Sequence, residues 1–165
     1  MDEKTSRGFK WIVEILNTKK IPYRIGGGFA AHVYGSPRPI NDIDISVSGK
    51  YFPIIVPEIF GYIVAGSQHY LNEKWDCDTL SLDYHGQKID LTDVDTLRMS
   101  NKEQTAWIQA KDLYSQYNPI VMRVEDTDVS LFDPRGLIAY KKELGGKHQQ
   151  IDIDAVRTYI AEHNL

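Results

Sequence analysis

Apolar residues at Phe9, Ile12, Val13 and Leu16 recur at the spacing of one helix face. This predicts a helix over 6–19, with Thr5 or Ser6 as N-cap. Pro22 ends that periodicity. Tyr23-Arg24-Ile25 then predicts a short strand running into Gly26-Gly27-Gly28. Phe29 to Tyr34 reads as a short helix closed by Gly35, and Ser36 to Asn41, with two prolines, as a loop. The period then changes. Ile43, Ile45 and Val47 alternate with Asp42, Asp44 and Ser46, the pattern of a half-buried strand.

Residues 51–66 carry no clear period, although Pro53 and Pro57 allow a short helix from about 53 to 60. Thr79 to Tyr84 and Gln87 to Thr92 predict a hairpin joined at His85-Gly86. A two-residue turn there sets Leu82 opposite Ile89, Ser81 opposite Asp90 and Asp83 opposite Lys88. A helix is expected over 103–116, followed by a second hairpin from Ile120–Val124 and Asp128–Phe132 around Glu125-Asp126. Asp133-Pro134 opens a helix that ends at Gly145-Gly146. A last helix from about Asp152 to His163 carries Val156 and Ile160 on one face. Strands mixed with crossover helices predict an α/β (α+β) fold, a mixed β-sheet flanked by helices, with C-terminal helices. The length suits a single domain, 1–165, with its core at about 20–95 and a C-terminal hairpin and helices at about 96–165.

Composition narrows the function classes. Apolar residues at 42% and charged residues at 25% are the balance of an ordinary folded protein. No apolar run approaches the ~20 residues of a membrane helix, so no membrane partner is expected. A formal net charge of -4 speaks against a broad basic face for duplex nucleic acid. It leaves room for a nucleotide bound through a metal, which supplies positive charge locally. Met1-Asp2-Glu3-Lys4 shows no signal-peptide pattern, and a lone Cys77 cannot form an internal disulfide, so a cytoplasmic location is expected. Trp11, Trp75 and Trp107 are expected in the core, and His32 in a packed or capping role.

The candidate chemistry lies in the acids and glycines. Two acids separated by one apolar residue project from one strand face, so Asp42 and Asp44 have Cα atoms ~6.5 Å apart and can converge on metal ions. A solvated acidic strand face explains the pair equally well. Asp90 lies between Ile89 and Leu91 in a strand position; Asp83 can instead pair with Lys88, and Asp93 falls at the strand end. Three glycines between a strand and a helix leave free backbone N–H groups that favour a phosphate, or simply make a tight turn. Arg38, four residues before Asp42, could reach a phosphate with its planar fork, or be an ordinary surface arginine.

In order, the stretch from Ile25 through Gly26-Gly27-Gly28, Gly35, Arg38 and Asp42-Ile43-Asp44 to Ile45 resembles the DNA polymerase β-like nucleotidyltransferase superfamily. It looks most like the small double-glycine members, the antibiotic nucleotidyltransferases and the toxin–antitoxin nucleotidyltransferases. The resemblance implies a mixed sheet of that type. It implies that Gly27 and Gly28 contact the triphosphate, that Asp42 and Asp44 bind metal, and that Asp90 is the third acid, activating the acceptor hydroxyl. Leu137-Ile138-Ala139-Tyr140-Lys141 is similar to a helix that brings a lysine, here Lys141, near the phosphates. The implied cofactor is Mg²⁺, with two ions, and the implied substrate is an NTP, ATP foremost. The acceptor stays open between a small molecule, a protein and an RNA end. A non-catalytic partner-binding protein, such as a toxin–antitoxin component, is the alternative. The chain departs from the family at Ile40, where many small members have Thr. It departs again at Lys147-His148-Gln149-Gln150-Ile151-Asp152, where toxin-like members are richer in Arg and Lys.

Overall fold

A computed structural model describes residues 1–165. The helix predicted at the N-terminus, α1, spans Glu3–Thr18. Its N-cap is Asp2, whose carboxylate accepts from Thr5 N at 2.7 Å, rather than Thr5 or Ser6. Thr5 is instead buried and donates to Gln87 Oε1 at 2.8 Å. Phe9, Ile12, Val13 and Leu16 form the fully buried stripe. Tyr23–Ile25 is β1, Gly27–Val33 is α2 and Asp42–Val47 is β2. Phe52–Ile59 is α3, with Pro53 in its first turn.

Ile63–Leu71 forms β3, which the sequence pattern does not reveal. Most of its side chains are exposed and its pairing with the next strand is broken by register shifts, so no inward–outward alternation survives. Trp75–Tyr84 is β4 and Gln87–Asp93 is β5. Their register sets Leu82 opposite Ile89 and Ser81 opposite Asp90, as a two-residue turn requires. Asp83 stands opposite Lys88, but its carboxylate accepts from Gly86 N at 2.6 Å within the turn.

The helix expected over 103–116 is mostly absent. Arg98–Ser100 is β6, Trp107–Gln109 is β7, and only Ala110–Ser115 is helical, as α4. The Asn101 side chain closes the β6–β7 turn by accepting from Thr105 N and Ala106 N, a local bond that competes with helix formation. Ile120–Val124 and Thr127–Leu131 are β8 and β9, and Pro134–Leu144 is α5, capped by Asp133. The last helix, α6, begins at Lys147 rather than near Asp152 and runs to His163. Gly145 and Gly146 have φ of 69° and 95°, which turns the chain sharply enough for α6 to start at once.

The strands form one mixed sheet in the order β7-β6-β4-β5-β2-β1-β9-β8, with β3 paired to β4. β2 is parallel to β5 and antiparallel to β1. Ile43, Ile45, Val47, Ile89 and Leu91 are buried in the core that includes α1, α2 and α3. The alternate residues of β2 and β5 point to the opposite face, where the polar side chains gather. No helix is long and apolar enough to cross a membrane.

The buried Thr5–Gln87 bond ties α1 to β5. Thr5→Val keeps the shape but strands Gln87 Oε1, and should lower unfolding stability by about 1–3 kcal/mol. Denaturant melts of the two proteins check this; an unchanged midpoint would show that the bond contributes nothing.

Candidate active site

The parallel register of β2 and β5 sets Asp44 directly opposite Asp90. Asp42 lies two residues earlier on the same face of β2. One carboxylate oxygen from each of Asp42, Asp44 and Asp90 falls within 4.8 Å of the others. Asp90 also accepts a hydrogen bond from the Ser81 hydroxyl across the β4–β5 pair. All three acids are half-buried.

Charge at Asp44 is costly. Burial, then the neighbouring Asp42 and Asp90 carboxylates, push its pKa up to about 7, against the opposing charge of Lys141. Burial and Asp90 also raise Asp42. Three oxygen-donor carboxylates that repel one another fit a hard divalent cation such as Mg²⁺.

Gly27 adjoins the acids closely. It adopts φ +55°, and a Cβ there would lie 1.8 Å from Asp44 Oδ2. Gly26 N donates to Asp44 O at 2.9 Å, which fixes the start of α2 against β2. That start carries no side-chain cap. A Cβ on Gly28 would meet nothing within 4 Å, so its approach is open.

Arg38 and Lys141 come together on a residue that the sequence pattern does not single out. Asp152 is fully buried and receives Arg38 at 2.6 Å, Lys141 at 2.7 Å and the Ser36 hydroxyl at 2.6 Å. Lys141 is itself 2% exposed and also donates to Gln149 at 2.9 Å. These hydrogen bonds and cations hold the Asp152 carboxyl below its ordinary value despite burial. Arg38 acts on Asp42 and Lys141 on Asp44 as favourable neighbouring charges. The available signal for Asp152 is an acid on the face of α6 that also buries Ile153 and Val156.

A cavity of ≈ 320 Å³ opens beside Asp44 and Asp90. Tyr70, Trp75, Tyr114, Phe132 and Tyr140 supply its aromatic walls. Ser46, on β2, bonds the Tyr114 hydroxyl at 3.0 Å. Burial pushes Tyr114 up to about 12 and Tyr140 well above the usual tyrosine value. Trp75 is therefore a cavity wall that also packs on the core. Trp107 is 43% exposed, contrary to a core position, whereas Trp11 packs on the core and stacks on Tyr84 at 4.1 Å. The His32 ring is bonded to Arg38 O at 3.2 Å, a packed role.

No family model matches the sequence, and no curated protein matches it. Solved structures do share its fold. A candidate nucleotidyltransferase from Thermotoga maritima superposes with a TM-score of 0.73 at 16% identity, covering 98% of this chain and 96% of that one. The lincosamide antibiotic adenylyltransferase LnuA, with lincomycin bound, gives 0.61 at 10% identity, covering 93% of this chain and 96% of that one. The structure of ANT(2'')-Ia in complex with adenylyl-2''-tobramycin gives 0.57 at 13% identity, covering 94% and 87%. The chain thus has the nucleotidyltransferase fold.

The raised Asp44 pKa has a thermodynamic consequence. The folded chain keeps this proton to about pH 7, whereas an unfolded chain releases it near 3.8, so metal-free stability should fall as pH rises through that window. Asp44→Asn removes the charge and should flatten the fall, melting above the wild type at pH ~8 in EDTA. Mg²⁺ should raise the wild-type melting temperature more than that of the variant. Equal pH slopes for the two metal-free proteins would contradict the assignment.

Proposed function

We propose that the protein is a metal-dependent nucleotidyltransferase. It transfers a nucleoside monophosphate from an NTP, ATP foremost, to a hydroxyl acceptor and releases pyrophosphate. The observation that carries this reading is the convergence of Asp42, Asp44 and Asp90, with Gly27 packed against the Asp44 carboxylate. The adenylyltransferases that share the fold support ATP as donor.

Asp42, Asp44 and Asp90 are the residues that would hold Mg²⁺, with two ions expected. When bound, the metal supplies positive charge that stabilises the reacting phosphates and the departing pyrophosphate. The remaining roles fall to the chain itself. Gly27 and Gly28 leave the start of α2 open to the β- and γ-phosphates. Arg38 and Lys141, fixed by Asp152, add cationic charge on the same side. Asp90 takes the proton of the acceptor hydroxyl, with its carboxylate oriented by Ser81. The acceptor oxygen bonds to the α-phosphorus. The bond from that phosphorus to the bridging oxygen breaks, and pyrophosphate leaves with the electron pair. The aromatic cavity beside Asp90, at ≈ 320 Å³, has the size of a small-molecule site.

Labelled ATP, Mg²⁺ and cell extract provide the test. Asp42→Asn and Asp44→Asn should each abolish label transfer while the proteins stay folded. Asp90→Asn should slow it by about 10²–10⁴-fold. Wild-type-like turnover in any of the three overturns the mechanism. Nucleotide binding that never yields transfer or pyrophosphate would favour a partner-binding role instead.

Gly27→Ala should also be inactive, since its new Cβ displaces the Asp44 carboxylate. Retained turnover in that variant would show that the close approach is dispensable.

A further inference from the structure

A second cavity, of ≈ 400 Å³, lies beside the first and shares Ser46 and Tyr114 with it. Arg24, Lys50 and Lys111 contribute three cations to its lining, and Asp95 the one acid. None of the three cations forms an ion pair with a carboxylate. Arg24 spends one terminal nitrogen on Tyr114 O at 2.8 Å and Tyr117 O at 2.9 Å. Its Nε and second terminal nitrogen have no protein acceptor. The guanidinium is half-buried over the Tyr114 and Phe132 rings, at 5.6 and 5.9 Å, and burial lowers its pKa from the usual arginine value. Lys50 stands 5.0 Å over the Tyr51 ring and makes no hydrogen bond with the chain. Asp95 accepts from the Ser48 hydroxyl. The lining therefore carries three positive charges against one negative.

We propose that this cavity binds a phosphate group carried by the acceptor. A net charge of two positives complements a phosphomonoester, which carries ≈ −1.5 to −2 at neutral pH. An arginine with free N–H groups, in a cavity that two lysines also line, suits a phosphate better than a neutral acceptor. The cavity is also correctly placed. Arg24 pairs with Ser46 in the β1–β2 register, and Ser46 lies two residues from Asp44 on the same strand face, ~6.5 Å along it. The phosphates of the NTP belong to the acids and to Gly27 and Gly28, so a second phosphate site one strand step away serves the other substrate. The Ser46–Tyr114 bond forms the partition between the phosphate and the reacting hydroxyl. This assignment of the acceptor rests on the nucleotidyltransferase reading; the anion cavity itself does not.

Two measurements separate the cavity from the reaction. In the first, inorganic phosphate is titrated into the full chain in EDTA and followed by backbone amide NMR. Saturable shifts are expected around Arg24, Lys50, Tyr51 and Lys111. Lys50→Glu combined with Lys111→Glu, both exposed and unbonded, should weaken binding by about tenfold or more with the spectrum otherwise native. Shifts confined to Gly27 and Gly28, or an unchanged affinity in the double variant, overturn the cavity. In the second, small-molecule extract is treated with an immobilised phosphatase, cleared of it, and then offered with labelled ATP and Mg²⁺. Labelling should be lost after treatment. Labelling that survives treatment overturns the acceptor assignment. No labelling with either small-molecule extract overturns the acceptor assignment; the nucleotidyltransferase reading is then decided by transfer in whole cell extract, and the cavity by the phosphate titration.

Discussion

Three carboxylates within 4.8 Å of one another, on one face of a sheet, are the constraint around which the site is built. Left alone they repel, and Asp44 bears most of the strain, since burial adds to the repulsion of its neighbours. The arrangement persists because the parallel β2–β5 ladder fixes Asp44 against Asp90 and the β4–β5 hairpin fixes Ser81 onto Asp90. Backbone hydrogen bonds and the apolar face of the same strands, through Ile43, Ile45, Ile89 and Leu91, hold the acids where their charges would not go unaided. Such a conflict between stability and local charge is characteristic of functional sites.

The same constraint explains Gly27. Only a residue without a Cβ can pass within contact of the Asp44 carboxylate while taking φ +55°. It also explains why the nearby cations are held at one remove. Arg38 and Lys141 are anchored on Asp152, so their positive charge is fixed beside the acids without collapsing onto them. Arg24, half-buried and without a carboxylate partner, follows the opposite design, with donors left unbonded beside a cavity that it lines.

Elements with a strong period are legible in the amino-acid sequence. The α1 stripe, the alternation of β2, the β4–β5 hairpin with its register and the proline start of α5 all follow from local spacing and turn chemistry. Asp42 and Asp44 on one face follow from the strand period alone. Segments whose structure depends on distant partners were not legible. β3 is largely exposed and bulged, so its sequence lacks a face. β6 and β7 are three residues each and owe their pairing to a turn built on the Asn101 side chain. The Asp152 anchor depends on contacts with Ser36 and Arg38 more than a hundred residues away.

The acid pair and the glycine run beside it are legible in the amino-acid sequence because both are properties of neighbouring residues. Asp90 too is readable as the third acid, from its place between two apolar residues of a strand, and the fold shows where its rivals go instead. Asp83 is spent on its own turn, and Asp93 is buried accepting from Gly49 and Asp95 backbone N–H groups. Strand order across the sheet, which brings β5 beside β2, is set by long-range pairing and burial, and no local pattern in a single chain encodes it.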